Sequence, residues 1–143
     1  MQILLDQDGP LADFEAGFLE RWQNAFPNEF FIPLRDRKSE AVSEMIRLGH
    51  ELWICTSPLS RNPLCVSEKY TSVGNNFGSE FISHLVVTKD KTLVRGRYLI
   101  DDNPHIDGGF DPEWEHVLFD APYNRGLDRT RITWATWKRV LVR

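Results

Sequence analysis

The first stretch that could do chemistry is a pair of aspartates near the start of the chain. Asp6 and Asp8 follow the apolar run 3–5, which predicts a short buried strand, and they precede a predicted turn at Gly9. Because the chain turns there, both carboxylates can converge on one ligand. One of them could serve as nucleophile and metal ligand while the other donates a proton. A plain turn would use the same residues, so the pair alone leaves both readings open.

A second acidic pair, Asp101 and Asp102, follows the predicted strand 97–100 in the same way. Adjacent carboxylates repel each other, and a divalent cation commonly relieves that repulsion. Two acidic pairs that both end a predicted strand therefore indicate a metal site more strongly than either pair does alone.

Two further stretches offer hydroxyl groups and positive charge. Thr56 and Ser57 follow the predicted strand 52–55, and hydroxyls and turn amides at the carboxyl end of a strand can bind phosphate. Lys89 and Lys91 follow the next predicted strand and add positive charge there. Taken singly, a Ser–Pro turn and a solvated charged loop would account for these residues.

The elements that must position these side chains alternate between strand and helix. Such alternation predicts an α/β fold of the Rossmann-like type, with a parallel five-stranded sheet flanked by helices. The carboxyl ends of parallel strands open on one edge, so the polar stretches are expected to meet there. The predicted strands are residues 3–5, 52–55, 85–87, 97–100 and 116–119. Predicted helices span residues 12–25 and 66–77, and two more are capped by Ser39 (closed by Gly49) and by Thr133.

The bulk composition bounds the class of protein. With 143 residues, 41% hydrophobic and 27% charged, the chain is expected to form one domain over residues 1–143. A net charge of −4 gives no general attraction to nucleic acid or to an anionic membrane, and no apolar run could span a bilayer. Cys55 and Cys65 lack zinc-site spacing, and Cys55 is expected to be a buried thiol. A cytoplasmic location is expected, because the first strand starts too early for a signal peptide.

The motifs together resemble a known family. Asp6-x-Asp8, Thr56-Ser57, Lys91 and the second acidic pair resemble the haloacid dehalogenase (HAD) superfamily of phosphatases, and the wider motifs resemble its 5′(3′)-deoxyribonucleotidases. The resemblance covers nearly the whole chain and rests on the motifs at residues 5–15, 54–58, 68–70, 88–92, 99–102 and 114–119.

This resemblance implies roles for the acidic residues. Asp6 would attack phosphorus and form an aspartyl-phosphate. Asp8 would protonate the leaving oxygen and then activate the hydrolytic water. Mg²⁺ would be bound directly by Asp6, the Asp8 carbonyl and Asp102. Asp101 would not bind the ion itself but would lie next to the residues that do.

The resemblance also implies a substrate site. Thr56 and Ser57 would bind phosphate oxygens, and Lys91 would offset the charge of the transferring group. Lys69 and Lys89 match positions at which the family keeps basic residues near the substrate. Phe14 matches a position at which the family lines its nucleobase pocket.

One departure from the family concerns its helical cap, which lies between the first helix and the second strand. Here residues 27–40 form only a shortened connection, and its first part, residues 27–38, carries two prolines and is expected to be irregular. The core chemistry needs no cap, but substrate selectivity and water exclusion depend on one. The expected protein is either a monomer with weak base preference or a homodimer whose partner covers the cleft through residues 27–38.

The predicted activity is magnesium-dependent hydrolysis of nucleoside monophosphates, with deoxyribonucleotides favoured. A capless phosphatase for a larger substrate, such as a polynucleotide end, is the first alternative, because an open site suits bulky substrates. The acidic net charge argues against nucleic acid as a partner. A non-catalytic binding protein on the same fold is the second alternative, and its signature would be loss of acidic residues that this chain retains.

Overall fold

The computed structural model describes residues 1–8, residue 10 and residues 34–142, with the backbone alone for residues 34–39. The predicted helix 12–25, the turn at Gly9, the nucleobase contact of Phe14 and most of the connection 27–38 lie outside the described residues. Those parts of the interpretation stay predictions.

The described residues form six strands and three α-helices, linked in places by short 3-10 helices. The strands are β1 Gln2–Leu5, β2 Glu51–Thr56, β3 Leu85–Val87, β4 Tyr98–Asp101, β5 Glu115–Phe119 and β6 Arg131–Ile132. The α-helices are α1 Leu34–Arg47, α2 Cys65–Phe77 and α3 Lys138–Leu141.

All strand pairings are parallel, in the order β3-β2-β1-β4-β5-β6. The first strand lies at the centre, where Leu5 is in register with Ile54 of β2 and with Ile100 of β4. The strand order changes direction between β1 and β4, and such a switch point opens a crevice at the carboxyl ends of the strands. The predicted α/β fold with a parallel sheet is confirmed, with six strands where five were expected.

The extra strand and the last helix correct the prediction near the C-terminus. Strand β6 has only two residues, too few to show an alternating pattern. The predicted helix after Thr133 is a series of turns followed by the four-residue α3. The Thr133 hydroxyl accepts a hydrogen bond from the Ala135 N–H at 3.2 Å, and the Thr136 hydroxyl accepts one from the Thr133 N–H at 2.9 Å. The first of these bonds is the capping contact expected of Thr133. The turns that follow carry tighter bonds, such as that from the Thr136 N–H to the Thr133 carbonyl at 3.0 Å, and regular α-helix begins only at Lys138.

The second predicted helix also begins earlier than expected. Helix α1 starts at Leu34, whereas the sequence pattern placed its cap at Ser39 and treated residues 34–38 as irregular. Pro33 precedes this start in the sequence, and proline is compatible with the first turn of a helix because no N–H is needed there. The prediction that residues 34–38 are irregular was therefore wrong.

The central strand is buried on both faces, which fixes the site at its end. Ile3 and Leu5 pack into one core cluster, while Leu4 packs into another with Cys55 and Leu99. Cys55 is fully buried as predicted, and burial raises the pKa of its thiol to about 12. None of the described helices is long and apolar enough to cross a membrane.

Candidate active site

Polar side chains from three adjacent strands meet at the carboxyl edge of the sheet. Asp6 directly follows β1, and its N–H donates to the Ile100 carbonyl of β4 at 2.9 Å. Thr56 is the last residue of β2 and Asp101 the last of β4. All three polar residues are buried, with exposed fractions of 6%, 0% and 1% respectively. Buried polar groups require partners, so their contacts define the site.

A single lysine joins the two buried aspartates. Lys91 Nζ donates to Asp6 Oδ1 at 2.6 Å and to Asp101 Oδ2 at 2.5 Å. The ammonium group is itself buried, and charged groups of this kind are seldom buried unless they are paired. The predicted proximity of Lys91 to the nucleophile position is thus seen directly, together with an ion pair to the second acidic pair.

Neighbouring loops hold Lys91 in place. Asp90 caps the 3-10 helix Lys91–Leu93, because its Oδ1 accepts from the Thr92 N–H at 2.9 Å. Its Oδ2 accepts from the Gly109 N–H at 2.8 Å, which attaches the loop between β4 and β5. The Trp114 indole N–H donates to the Lys91 carbonyl at 3.3 Å. These contacts fix the backbone from which the lysine reaches the two carboxylates.

Burial and mutual repulsion make the acids resist ionisation. Burial raises the pKa of Asp6 to about 7, the charge of Asp101 adds to this rise, and Lys91 opposes it. Burial also raises the pKa of Asp102, against the effect of a hydrogen bond from Tyr123. Burial by itself would lower the pKa of Lys91, but the two carboxylates outweigh it and the pKa is raised. The carboxylates of the site outnumber its lysines, so their negative charge is only partly compensated.

Three carboxylates here could hold a divalent cation. Asp6, Asp101 and Asp102 each offer an oxygen, and these oxygens lie within 4.8 Å of one another. Both oxygens of Asp101 are already used, one by Lys91 and the other by the Asn103 N–H at 2.9 Å. Asp6 keeps one carboxylate oxygen that has no donor among the described residues, and the Asp102 carboxylate receives only the Tyr123 hydroxyl and its own backbone N–H there. Oxygen donors with excess negative charge suit Mg²⁺, so the residues fit such an ion.

A second lysine–carboxylate pair lies beside the first. Lys69 of α2 is buried, and its Nζ donates to Asp8 Oδ2 at 2.6 Å and to Thr56 Oγ1 at 2.9 Å. The Asp8 side chain is 65% exposed, in contrast to the Asp6 side chain at 9%. Because the Thr56 hydroxyl accepts from Lys69, its own hydrogen remains available for another acceptor.

Gln7 is a residue of the site that the sequence interpretation missed. It is 3% exposed, and its side-chain N–H donates to the Lys69 carbonyl at 3.3 Å. Its carbonyl oxygen is buried without a partner among the described residues. The bond ties α2 to the loop after β1, so it helps to set where Lys69 meets Asp8. In the sequence, the position of Gln7 between the two aspartates was the only indication that it belongs to the site.

Tyr123 and Asn124 were also missed. The Tyr123 hydroxyl donates to Asp102 Oδ2, and the Asn124 amide donates to the Asp102 carbonyl at 2.8 Å. Both residues follow β5 and so lie at the same edge of the sheet. Their position after a parallel strand was the only signal in the sequence, because neither residue belongs to an acidic or basic motif.

Ser57 and Lys89 form none of the side-chain hydrogen bonds described above in the part of the chain that the structure describes. Ser57 is half-buried directly after Thr56, at the edge where phosphate binding was predicted. Lys89 is exposed, and within the described part of the chain it forms no ion pair with the site's carboxylates. The substrate contacts expected of both stay predictions.

Comparisons with known proteins identify the family. The family model described as "5′ nucleotidase, deoxy (Pyrimidine), cytosolic type C protein" matches residues 19–143. A Bordetella bronchiseptica protein named "Putative 5′(3′)-deoxyribonucleotidase" is 39% identical over 99% of this chain and 95% of its own length. The human mitochondrial 5′(3′)-deoxyribonucleotidase is 36% identical over 99% of this chain and 82% of its own length.

The human cytosolic-type 5′(3′)-deoxyribonucleotidase is 33% identical over 99% of this chain and 93% of its own length. Identity of this level over nearly whole chains establishes common descent and a shared fold. The chain therefore belongs to the 5′(3′)-deoxyribonucleotidase family, a family of phosphoric monoester hydrolases of the nucleotidase type.

Proposed function

We propose that the protein hydrolyses nucleoside monophosphates, deoxyribonucleotides in particular, through a magnesium-dependent aspartyl-phosphate mechanism. The observation that carries the proposal is the buried cluster in which Lys91 bridges Asp6 and Asp101 next to Asp102. A nucleophile, a cationic group and a cation site lie together at the switch point of the sheet, which is what phosphoryl transfer requires.

In the first step, the oxygen of Asp6 that is not bonded to Lys91 attacks the phosphorus of the substrate. A bond forms between Asp6 and phosphorus while the bond to the sugar oxygen breaks, and the electron pair leaves with that oxygen. Lys91 fixes the rotation of the Asp6 carboxylate through the bond to the other oxygen. The nucleophile is thereby held in one orientation before the substrate arrives.

Asp8 supplies the proton in this step. It protonates the departing sugar oxygen, and it then takes a proton from the water that hydrolyses the aspartyl-phosphate. The exposure of its side chain supports this role, because the hydrolytic water can reach the carboxylate from solvent. Lys69 holds the carboxylate beside Thr56 and so limits the positions from which it acts.

The phosphate oxygens are expected to lie between the two lysines. Lys69 and Lys91 each have three N–H donors and use two of them on groups of the described residues, so that a third can be directed at the substrate. The Thr56 hydroxyl directs its hydrogen away from Lys69 and can donate to the same group. Ser57 is adjacent and adds a further hydroxyl at the edge of the sheet.

Magnesium is the cofactor that this set of residues supports. Asp6 and Asp102 would bind it through their carboxylates, and Asp6 would do so through the oxygen that also accepts from Lys91, so that its other oxygen stays free to attack. The Asp8 carbonyl would add a third ligand, and Asp101 would stay bonded to Lys91 and Asn103. When bound, the ion supplies positive charge that neutralises the acids and polarises the phosphate.

The relatives support the substrate class, since those compared carry the name deoxyribonucleotidase. They are also longer than this chain, and we assign the difference to the cap. The alignment to the Bordetella protein runs over 177 positions, whereas this chain has 143 residues, so at least 34 positions (177 less 143) have no counterpart here. A shortened connection would leave the nucleobase with fewer contacts and make base selectivity weak.

Phosphate release from dUMP, dTMP, dAMP and dGMP, with Mg²⁺ or with excess chelator, tests the proposal. Mg²⁺-dependent release with little base preference is expected. A 5′-phosphorylated oligonucleotide in the same assay tests the larger substrate, and release from it alone would contradict the mononucleotide assignment. Full activity in chelator would contradict the metal site. Light scattering on the same sample gives the molar mass and so shows whether the protein is a monomer or a homodimer in which a second copy could cover the cleft.

A further inference from the structure

The segment after β5 contacts only one of the four site aspartates by side-chain hydrogen bonds in the described part of the chain. That aspartate is Asp102, the acid assigned above as a cation ligand. The contacts come from two neighbouring residues, Tyr123 and Asn124, within the 3-10 helix Pro122–Asn124. The contacts differ in kind, because one reaches the carboxylate and the other reaches the main chain.

Asn124 fixes the main chain at Asp102. Its side chain is fully buried, and its amide donates to the Asp102 carbonyl at 2.8 Å and to the Phe119 carbonyl at 2.9 Å. Its oxygen accepts from the Ala121 N–H at 3.2 Å. The end of β5 and the residue after β4 are thus joined through one amide group, which limits any movement of the Asp102 backbone.

Tyr123 fixes the carboxylate itself. Its hydroxyl donates to Asp102 Oδ2, while 67% of the residue stays exposed. Asp101 receives Lys91 and a backbone N–H, but Asp102 has no lysine partner among the described residues. Besides the backbone N–H of Asp102 itself, the tyrosine hydroxyl is the hydrogen-bond donor that restricts rotation of the Asp102 side chain in the described part of the chain.

We propose that Tyr123 and Asn124 are positioning residues that orient Asp102 for cation binding, with Tyr123 setting the affinity for Mg²⁺. The inference rests on the proposed function, since it assumes that Asp102 binds the ion. Hydrogen bonds that orient a ligating side chain raise metal affinity, because the ordering precedes binding. Loss of such a partner typically weakens metal binding about 10- to 100-fold.

The test compares Tyr123→Phe with the wild-type chain. The substitution removes one hydroxyl from an exposed side chain, so the metal-free melting temperature is expected to stay unchanged. Isothermal titration with MgCl₂ alone should show affinity lowered about tenfold, the lower end of that range. Tyr70→Phe is the matched control, because Tyr70 is also exposed, at 53%, and forms no contact with the site acids in the described residues.

Each result separates this inference from the proposed function. Wild-type chain that binds no Mg²⁺ would overturn the cation site and this inference together. Normal wild-type binding with Tyr123→Phe within twofold of it, or tighter, would overturn the inference alone. Ultraviolet difference absorbance gives a second readout: Mg²⁺ should perturb a tyrosine band in the wild-type and Tyr70→Phe proteins, and the signal should be lost in Tyr123→Phe.

Discussion

Two lysine–carboxylate groups lie side by side in the site and differ in their access to water. In the first, Lys91, Asp6 and Asp101 have side chains that are 6%, 9% and 1% exposed. In the second, Lys69 is 8% exposed while Asp8 is 65% exposed. The ion-pair distances are nearly equal, so the two groups differ in the burial of their carboxylates and not in the length of their contacts.

This difference in exposure favours different chemical roles for the two groups. Charges in the first group are screened little by solvent, so Lys91 can orient the nucleophile strongly and the cost of separating them is high. Asp8 borders solvent, so a water molecule can reach its carboxylate. In the proposed mechanism, the buried group carries out the attack on phosphorus and the exposed group the proton transfer.

Replacing Asp6, the proposed nucleophile of the buried group, should have the largest effect. Asp6→Asn is expected to lower turnover of dUMP by a factor on the order of 10⁴ or more, because no covalent intermediate can form. Circular dichroism should show an unchanged fold. The exposed Asp111→Asn serves as a matched control and should keep normal activity. Turnover within tenfold of wild type for Asp6→Asn would sink the covalent mechanism.

Asp8→Asn should be less damaging and should depend on the leaving group. Loss of the proton donor is expected to lower turnover of dUMP by about 10²- to 10⁴-fold. The loss should be much smaller with p-nitrophenyl phosphate, whose leaving group departs without a proton. The ratio of the two rates is the measurement. An equal loss on both substrates would argue against Asp8 as the acid.

The two lysines should differ in their contribution to stability. Lys91→Met leaves two carboxylates buried without their cation, and breaking a buried pair in this way costs about 3–5 kcal/mol of unfolding free energy. Lys69→Met leaves Asp8 in contact with water and should cost about 1 kcal/mol. Urea unfolding of both variants without metal provides the comparison. Similar losses would show that burial does not distinguish the two groups.

The smallest expected effect concerns pH. The pKa of Asp6, raised to about 7 by burial and by Asp101, means that below that pH Mg²⁺ must displace a proton to bind. Apparent Mg²⁺ affinity should therefore be full above about pH 7 and fall by up to about tenfold for each unit below it. Thermal unfolding with and without MgCl₂ at several pH values measures this. A constant Mg²⁺-induced shift across that range would contradict the prediction.

Much of the fold and part of the site could be predicted from local pattern. Apolar runs placed five of the six strands, and alternation with helices fixed their parallel direction. The acids at the ends of β1 and β4 followed, because parallel strands open their carboxyl ends on one edge. The start of α1 and the whole of β6 escaped prediction, since the stretch before Ser39 was read as irregular and two residues carry no period.

What the sequence determined by itself was therefore which residue types stand at the strand ends, and through them the class of chemistry. What only the tertiary structure decided was which charges pair. Lys91 and Asp6 are 85 residues apart, and Lys69 and Asp8 are 61 apart. Asp102 likewise meets Tyr123 only because β4 and β5 are neighbours in the sheet. Such pairings depend on strand order, loop path and burial, and these emerge only when the whole core packs.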